Sequence, residues 1–114
     1  GDVISHEELV AKSVGDFKTE ARLDPGAEDN LAEICDYIAA DNPQAAQHFF
    51  ERINELALTL VELPMIGRVV PEYQRPELKE RIHGRYRLVY RVTKDKLVEV
   101  LAVFHSARQV PDHL

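Results

Sequence analysis

Cysteine is almost missing from this chain: Cys35 is the only one in 114 residues, so no internal disulfide can form and no thiol cluster can hold a metal. Tryptophan is absent, methionine occurs once, and aromatic residues make up 7% of the sequence. Apolar runs extend only a few residues, too short to span a bilayer, and the first residues lack the basic-then-apolar pattern of a secretory leader. His6, Glu7 and Glu8 lack the spacing of a metal site. These absences argue against redox chemistry, zinc clusters, membrane insertion and export. The expectation is a cytoplasmic protein without cofactor or metal.

What is present is charge, and it is unevenly placed. The net charge of −6 hides a segregation along the chain. Residues 1–16 carry four acids and one base, residues 17–66 ten acids and three bases, and residues 67–114 six acids and ten bases. The last segment is therefore basic and can meet an acidic partner, while the first two face solvent or something else. At this length one modest core, and hence one domain, is expected.

The period of the apolar residues changes twice. Residues 17–23 alternate, with Phe17, Thr19, Ala21 and Leu23 on one side, which predicts a half-buried strand. Asp24-Pro25 predicts a helix start, with the carboxylate as cap and proline at the first helical position. Ala27, Leu31, Ile34, Cys35 and Ile38 then follow helical spacing, and Glu28, Asp29, Glu33 and Asp36 fill the outer face. Asp41-Asn42-Pro43 repeats the punctuation, so a tight helical hairpin is predicted. Its second helix is marked by Ala46, Phe49, Phe50, Ile53, Leu56, Ala57 and Leu60 and ended by Leu63-Pro64. Residues 69–76 read as an irregular or edge connection. From residue 78 the period becomes two, over 78–83, 86–92 and 97–105, with turns at Gly84-Arg85 and at 93–96. The fold expected is α+β: an N-terminal strand, a helical hairpin and a three-stranded antiparallel meander forming a curved sheet. A helical turn is expected in the tail before Pro111.

Alternation on the middle strand places Tyr86, Leu88, Tyr90 and Val92 towards the helices, and Arg87, Val89 and Arg91 on the other face. Arg81, Arg85, His105 and Arg108 are expected to converge on that second face as a basic patch. Guanidinium groups suit phosphate or carboxylate because the planar fork donates two parallel hydrogen bonds and stays charged. The competing reading is a solvated face with cross-strand pairs to Glu80 or Glu99; clustering and sign segregation favour function. His105 taken singly is more often a packing residue than an acid–base group, and Cys35, within the apolar stripe, is expected to be an inert thiol.

The segments 24–31, 36–43 and 63–68, with Gly84-Arg85-Tyr86-Arg87-Leu88-Val89-Tyr90-Arg91-Val92 and Val100-Leu101-Ala102-Val103-Phe104-His105-Ser106-Ala107-Arg108, resemble in order and spacing the ParE/RelE superfamily of toxins from type II toxin–antitoxin modules. The resemblance covers residues 17–114. It implies a plasmid-stabilising growth-arrest toxin, held in a hetero-oligomer by a cognate antitoxin whose acidic C-terminal segment wraps it. RelE-like members cleave ribosome-bound mRNA, and Arg87 and Arg108 resemble their phosphate-holding residues; acid–base roles would fall on His83 or His105. ParE-like members bind DNA gyrase and are not enzymes, and Asp-Asn-Pro with Leu-Pro-Met-Ile-Gly-Arg resembles that branch. A degenerate, purely binding domain is the third possibility. Arg81, Arg85, Arg87, Arg91 and Arg108 are the expected partner contacts. Residues 1–16 fall outside the match. They read as a tag remnant, since Gly1 stands in the place of an initiator methionine, or as an antitoxin-like tail.

Overall fold

The computed structural model describes residues 21–108. The strand expected over 17–23 is seen as β1 (Ala21–Leu23), and its first residues, the extension at 1–16 and the helical turn before Pro111 lie outside the described residues. Helices α1 (Pro25–Asp41) and α2 (Pro43–Glu62) follow. Asp24 caps the first as its sequence requires, Oδ2 accepting from the Gly26 amide at 3.2 Å. Asn42 serves both helices: its backbone N–H reaches the Ile38 carbonyl at 2.8 Å, closing α1, while its Oδ1 accepts from the Ala45 amide at 3.1 Å, opening α2. One residue thus satisfies orphan groups of two helix ends and sets the sharpness of the hairpin.

The remaining strands are β2 (Arg68–Val69), β3 (Lys79–His83), β4 (Tyr86–Val92) and β5 (Val98–His105). Together with β1 they form one five-stranded sheet in the order β1-β5-β4-β3-β2. The expected meander is β3-β4-β5. The structure adds the two-residue edge β2, antiparallel to β3, and places β1 parallel to β5. Gly84, at φ +58, supplies the left-handed position that the turn between β3 and β4 needs.

The helices cover one face of the sheet. Leu31, Ile53, Ala57 and Leu60 pack there against Leu88, Tyr90, Val98, Val100 and Val103. A smaller apolar cluster of Val70, Leu78, Val89, Ala102 and Phe104 lies on the outer face, beneath the connection between β2 and β3, with Tyr73 and Leu101 against it. Leu101 is a bulge: Val89 pairs with Ala102 but Tyr90 with Val100. The extra residue reverses the alternation, so Val103 above it and Val100 below it both face the helices, and Glu99 faces out.

Candidate functional site

The arginines expected to form one patch are divided by the sheet. Arg87 faces outward as its position in β4 dictates, but it is buried, at 7% exposure. Its Nη1 and Nη2 donate to the two carboxylate oxygens of Glu72 at 2.7 and 2.8 Å, and its Nε donates to Glu80 Oε1 at 2.6 Å. Glu80, only 1% exposed, takes a second cation on its other oxygen, Arg68 Nε at 2.6 Å. The guanidinium also lies 5.2 Å from the centre of the Phe104 ring. The hydrogen bonds from Arg87, ahead of its charge, hold the Glu72 carboxyl down at about 2, and the same bonds with those to Glu80 raise Arg87 further above its already high value. Each of the three nitrogens of this fork donates to a carboxylate within the chain.

Arg91, expected beside Arg87, belongs to a second network at the other end of the outer face. Its Nε donates to Glu99 Oε1 at 2.9 Å, and Arg22 Nη2 donates to Glu99 Oε2 at 3.1 Å. Hydrogen bonds from Arg91 and then Arg22 lower the Glu99 carboxyl below its ordinary value. The expectation of an open basic face on β4 is therefore corrected: Arg87 is closed off by Glu72 and Glu80, and Arg91 shares a carboxylate with Arg22.

Arg81 and His105 also lie elsewhere than expected. Arg81 pairs with Leu88 and His105 with Tyr86, so both point to the helix side. Across that side runs a row made by His83, Tyr86 and His105 on three neighbouring strands. Tyr86 is held between Phe49, at 4.7 Å between ring centres, and His105, at 5.4 Å edge-on. The His105 Nδ1 accepts from the Ala107 amide at 3.0 Å, which in the neutral ring leaves the proton on Nε2 as a donor. Arg85, in the turn, accepts the Ser106 amide on its carbonyl at 2.7 Å and so ties the end of β5, with Arg108 just beyond it, to the same corner.

A cavity of about 430 Å³ opens here between α1 and the sheet, lined by Asn30, Glu33 and Tyr37 on one side and Tyr86, His105 and Arg108 on the other. Asn30 Oδ1 accepts from the Val103 amide at 3.1 Å. Tyr37 stands at the rim, 82% exposed. Among the described residues Arg81, Arg85 and Arg108 have no carboxylate partner, and Arg81 Nε is buried without any hydrogen bond. The arginines without a carboxylate partner thus collect at the Gly84 end of the sheet, while Lys94 and Lys96 lie in the turn at its opposite end.

Cys35 is half-buried among apolar side chains, and burial, then the nearby Asp36 charge, pushes its thiol up, away from nucleophilic use. Among the described residues no group of three or more His, Cys, Asp or Glu is arranged to hold a metal, and no helix is long and apolar enough to cross a membrane. Two features escaped the sequence reading. Glu72 lies in the connection expected to be irregular, and only its place between Pro71 and Pro76 hinted at a fixed loop. The Tyr90 hydroxyl, buried, accepts from the Gly67 amide at 2.9 Å and donates to the Pro64 carbonyl at 2.8 Å, clamping the turn after α2.

No curated protein matches the chain. Among solved structures, the chromosomal ParDE toxin–antitoxin system from P. aeruginosa matches with a TM-score of 0.60 and 19% identity over 75% of this chain and 92% of that one. The toxin–antitoxin complex RelBE2 from Mycobacterium tuberculosis matches with a TM-score of 0.55 and 22% identity over 75% of this chain and 94% of that one. At these identities the likeness is one of fold. The family model described as the ParE toxin of the type II toxin–antitoxin system, parDE, matches residues 21–110. With its two helices packed on an open mixed sheet, the chain belongs to the ParE toxin family of type II toxin–antitoxin systems.

Proposed function

We propose that this toxin arrests growth by binding a protein target, DNA gyrase, and that it is neutralised by a cognate antitoxin. The observation that carries the choice of target is the commitment of Arg87. A phosphate-polarising guanidinium must present its donors to the reacting phosphoryl oxygens, whereas all three nitrogens of the Arg87 guanidinium donate to Glu72 or Glu80 within the fold. His105, with Nδ1 engaged by Ala107, has only Nε2 available for proton transfer. Partner contacts fall to the uncommitted corner of Arg81, Arg85 and Arg108 with Tyr37 and Tyr86, since arginine and tyrosine are the residues that dominate protein interfaces. The toxin–antitoxin assemblies among the structural neighbours support an antitoxin as the resting partner.

A second reading, cleavage of ribosome-bound mRNA, is favoured by one observation: Arg108, His105 and Tyr86 share a cavity wall. Induction of the full chain in bacteria separates the two, with growth, supercoiling of a reporter plasmid and transcript integrity followed together. Arrest with lost supercoiling and intact transcripts is the expected result, relieved by co-expression of the antitoxin. Early transcript cleavage with normal supercoiling would replace gyrase by mRNA, and unimpaired growth would leave a binding domain only.

A further inference from the structure

The Arg87 network has an unusual lid. Residues 71–77 arch over the outer face of the sheet between two fully buried anchors, Val70 and Leu78, which are tied to each other by Val70 N–H to the Leu78 carbonyl at 3.0 Å. Between these anchors the lid meets the sheet through the paired hydrogen bonds of Glu72 to Arg87 and through Tyr73 on the apolar cluster. The Glu72 side chain is 42% exposed although its partner is buried, so its carboxylate is reachable from solvent. Gln74, at φ +53, holds a left-handed conformation that costs a non-glycine residue free energy in the closed lid. Two prolines, Pro71 and Pro76, narrow the conformations of the lifted loop and so lower the entropy gained on opening or lost on closing.

We propose that Arg87 is the centre of a carboxylate-binding site on the outer face of the sheet. The chain's own Glu72 fills it at rest, and residues 71–77 lift as a unit when an acidic segment of a protein partner takes the place of Glu72.

The chemistry of the site identifies the occupant. With Glu72 withdrawn, Arg68, Arg87 and Glu80 remain, a single net positive charge, beside a floor of Val89, Ala102 and Phe104. One spare charge and an apolar floor fit one carboxylate flanked by an apolar or aromatic side chain, as the lid itself shows with Glu72 and Tyr73. A polynucleotide would bring several phosphates to one uncompensated cation, next to the Glu80 carboxylate. Exchange of one carboxylate for another in the same fork is nearly balanced, so flanking contacts decide which occupant wins. The inference names the chemistry of the partner proposed above and rests on there being a protein partner. It does not depend on the target.

The test uses the purified full chain, so that failure to arrest growth in cells does not bear on it. The probes are a blocked acetyl-Glu-Tyr-amide, inorganic phosphate and a short oligouridylate, titrated against the wild type and Glu72→Ala while the Arg87 Nε–H resonance is followed. Removing the internal competitor raises the competent fraction, so Glu72→Ala is expected to bind the peptide about tenfold more tightly than the wild type or better. Equal binding by the two proteins, or a preference for the oligonucleotide, overturns the proposal. Hydrogen exchange supplies an independent reading that requires no ligand. In Glu72→Ala the amides of 72–75 and 77 are expected to exchange about tenfold faster while Val70 and Leu78 keep their protection. Equal loss of protection at Val70 and Leu78 would show that the lid does not move separately from the core and would likewise overturn it.

Discussion

Arg87 and Arg91 lie on the same face of β4, yet one is sealed and the other is half in water. Removing Arg87 leaves Glu80 buried with Arg68 alone and Glu72 without its partner. Breaking a buried pair in this way costs about 3–5 kcal/mol, so Arg87→Ala is expected to lose most of the stability of so small a domain, read as a steep fall in the urea midpoint. Arg91→Ala removes one of two cations from Glu99 at a site where Arg91 is 46% exposed, and a change of about 1 kcal/mol or less is expected. Glu72 gives a pH signature. Its folded value is depressed from 4.5 to about 2, so its contribution is fully present above pH 4.5 and is lost as pH falls from there through about 2. Urea midpoints measured across that window should fall for the wild type and fall less for Glu72→Gln. Sequence alternation correctly put Arg87 and Arg91 on the outer face. It offered Glu80 and Glu99 as cross-strand partners, and both are found, but it could not reveal Glu72, which comes from an aperiodic loop.

Elements were more legible than side chains. The two helices, their caps and the β3-β4-β5 meander follow from 3.6 and two-residue periods with Asp24-Pro25 and Asn42-Pro43 as punctuation. The bulge at Leu101 was not legible: it reverses alternation midway along β5, and an apolar run of valines, leucine and alanine carries no mark of where the reversal falls. That hidden reversal, with the placement of Arg81 and His105 on the helix side, is why the expected single patch resolves into two ion networks and a separate corner. Asn42→Ala removes the N-cap of α2, and a loss of about 1 kcal/mol is expected in thermal unfolding. The turn after α2 should be less tolerant. A Cβ at Gly67 would stand 2.5 Å from the Tyr90 hydroxyl oxygen and 2.8 Å from the Glu80 carbonyl, so Gly67→Ala must displace buried groups. Tyr90→Phe instead leaves the Gly67 amide and Pro64 carbonyl without their partner at a cost of about 1–3 kcal/mol. Calorimetry of the two variants should show both destabilised.

For the molecule as a whole, the arginines of the Gly84 corner are available for recognition with little bearing on stability, whereas Arg87 is tied to both. Arg85→Ala combined with Arg108→Ala removes cations that have no carboxylate partner among the described residues, so folding stability is expected to change by about 0.5 kcal/mol or less. The same double variant should weaken growth arrest or antitoxin affinity; unchanged potency and affinity would remove the corner from the proposed interface. The charge segregation of the sequence pointed to the basic half but not to which of its cations were already neutralised. The parallel pairing of β1 with β5 has a further consequence in time. Arg22 and Glu99 meet across a separation of 77 positions, and among the described residues β1 has no other strand neighbour in the sheet. During synthesis the first strand must therefore wait, unpaired, until the last has left the ribosome. The sheet is completed only when nearly the whole domain has been made, which delays a working toxin until translation of the domain is almost finished.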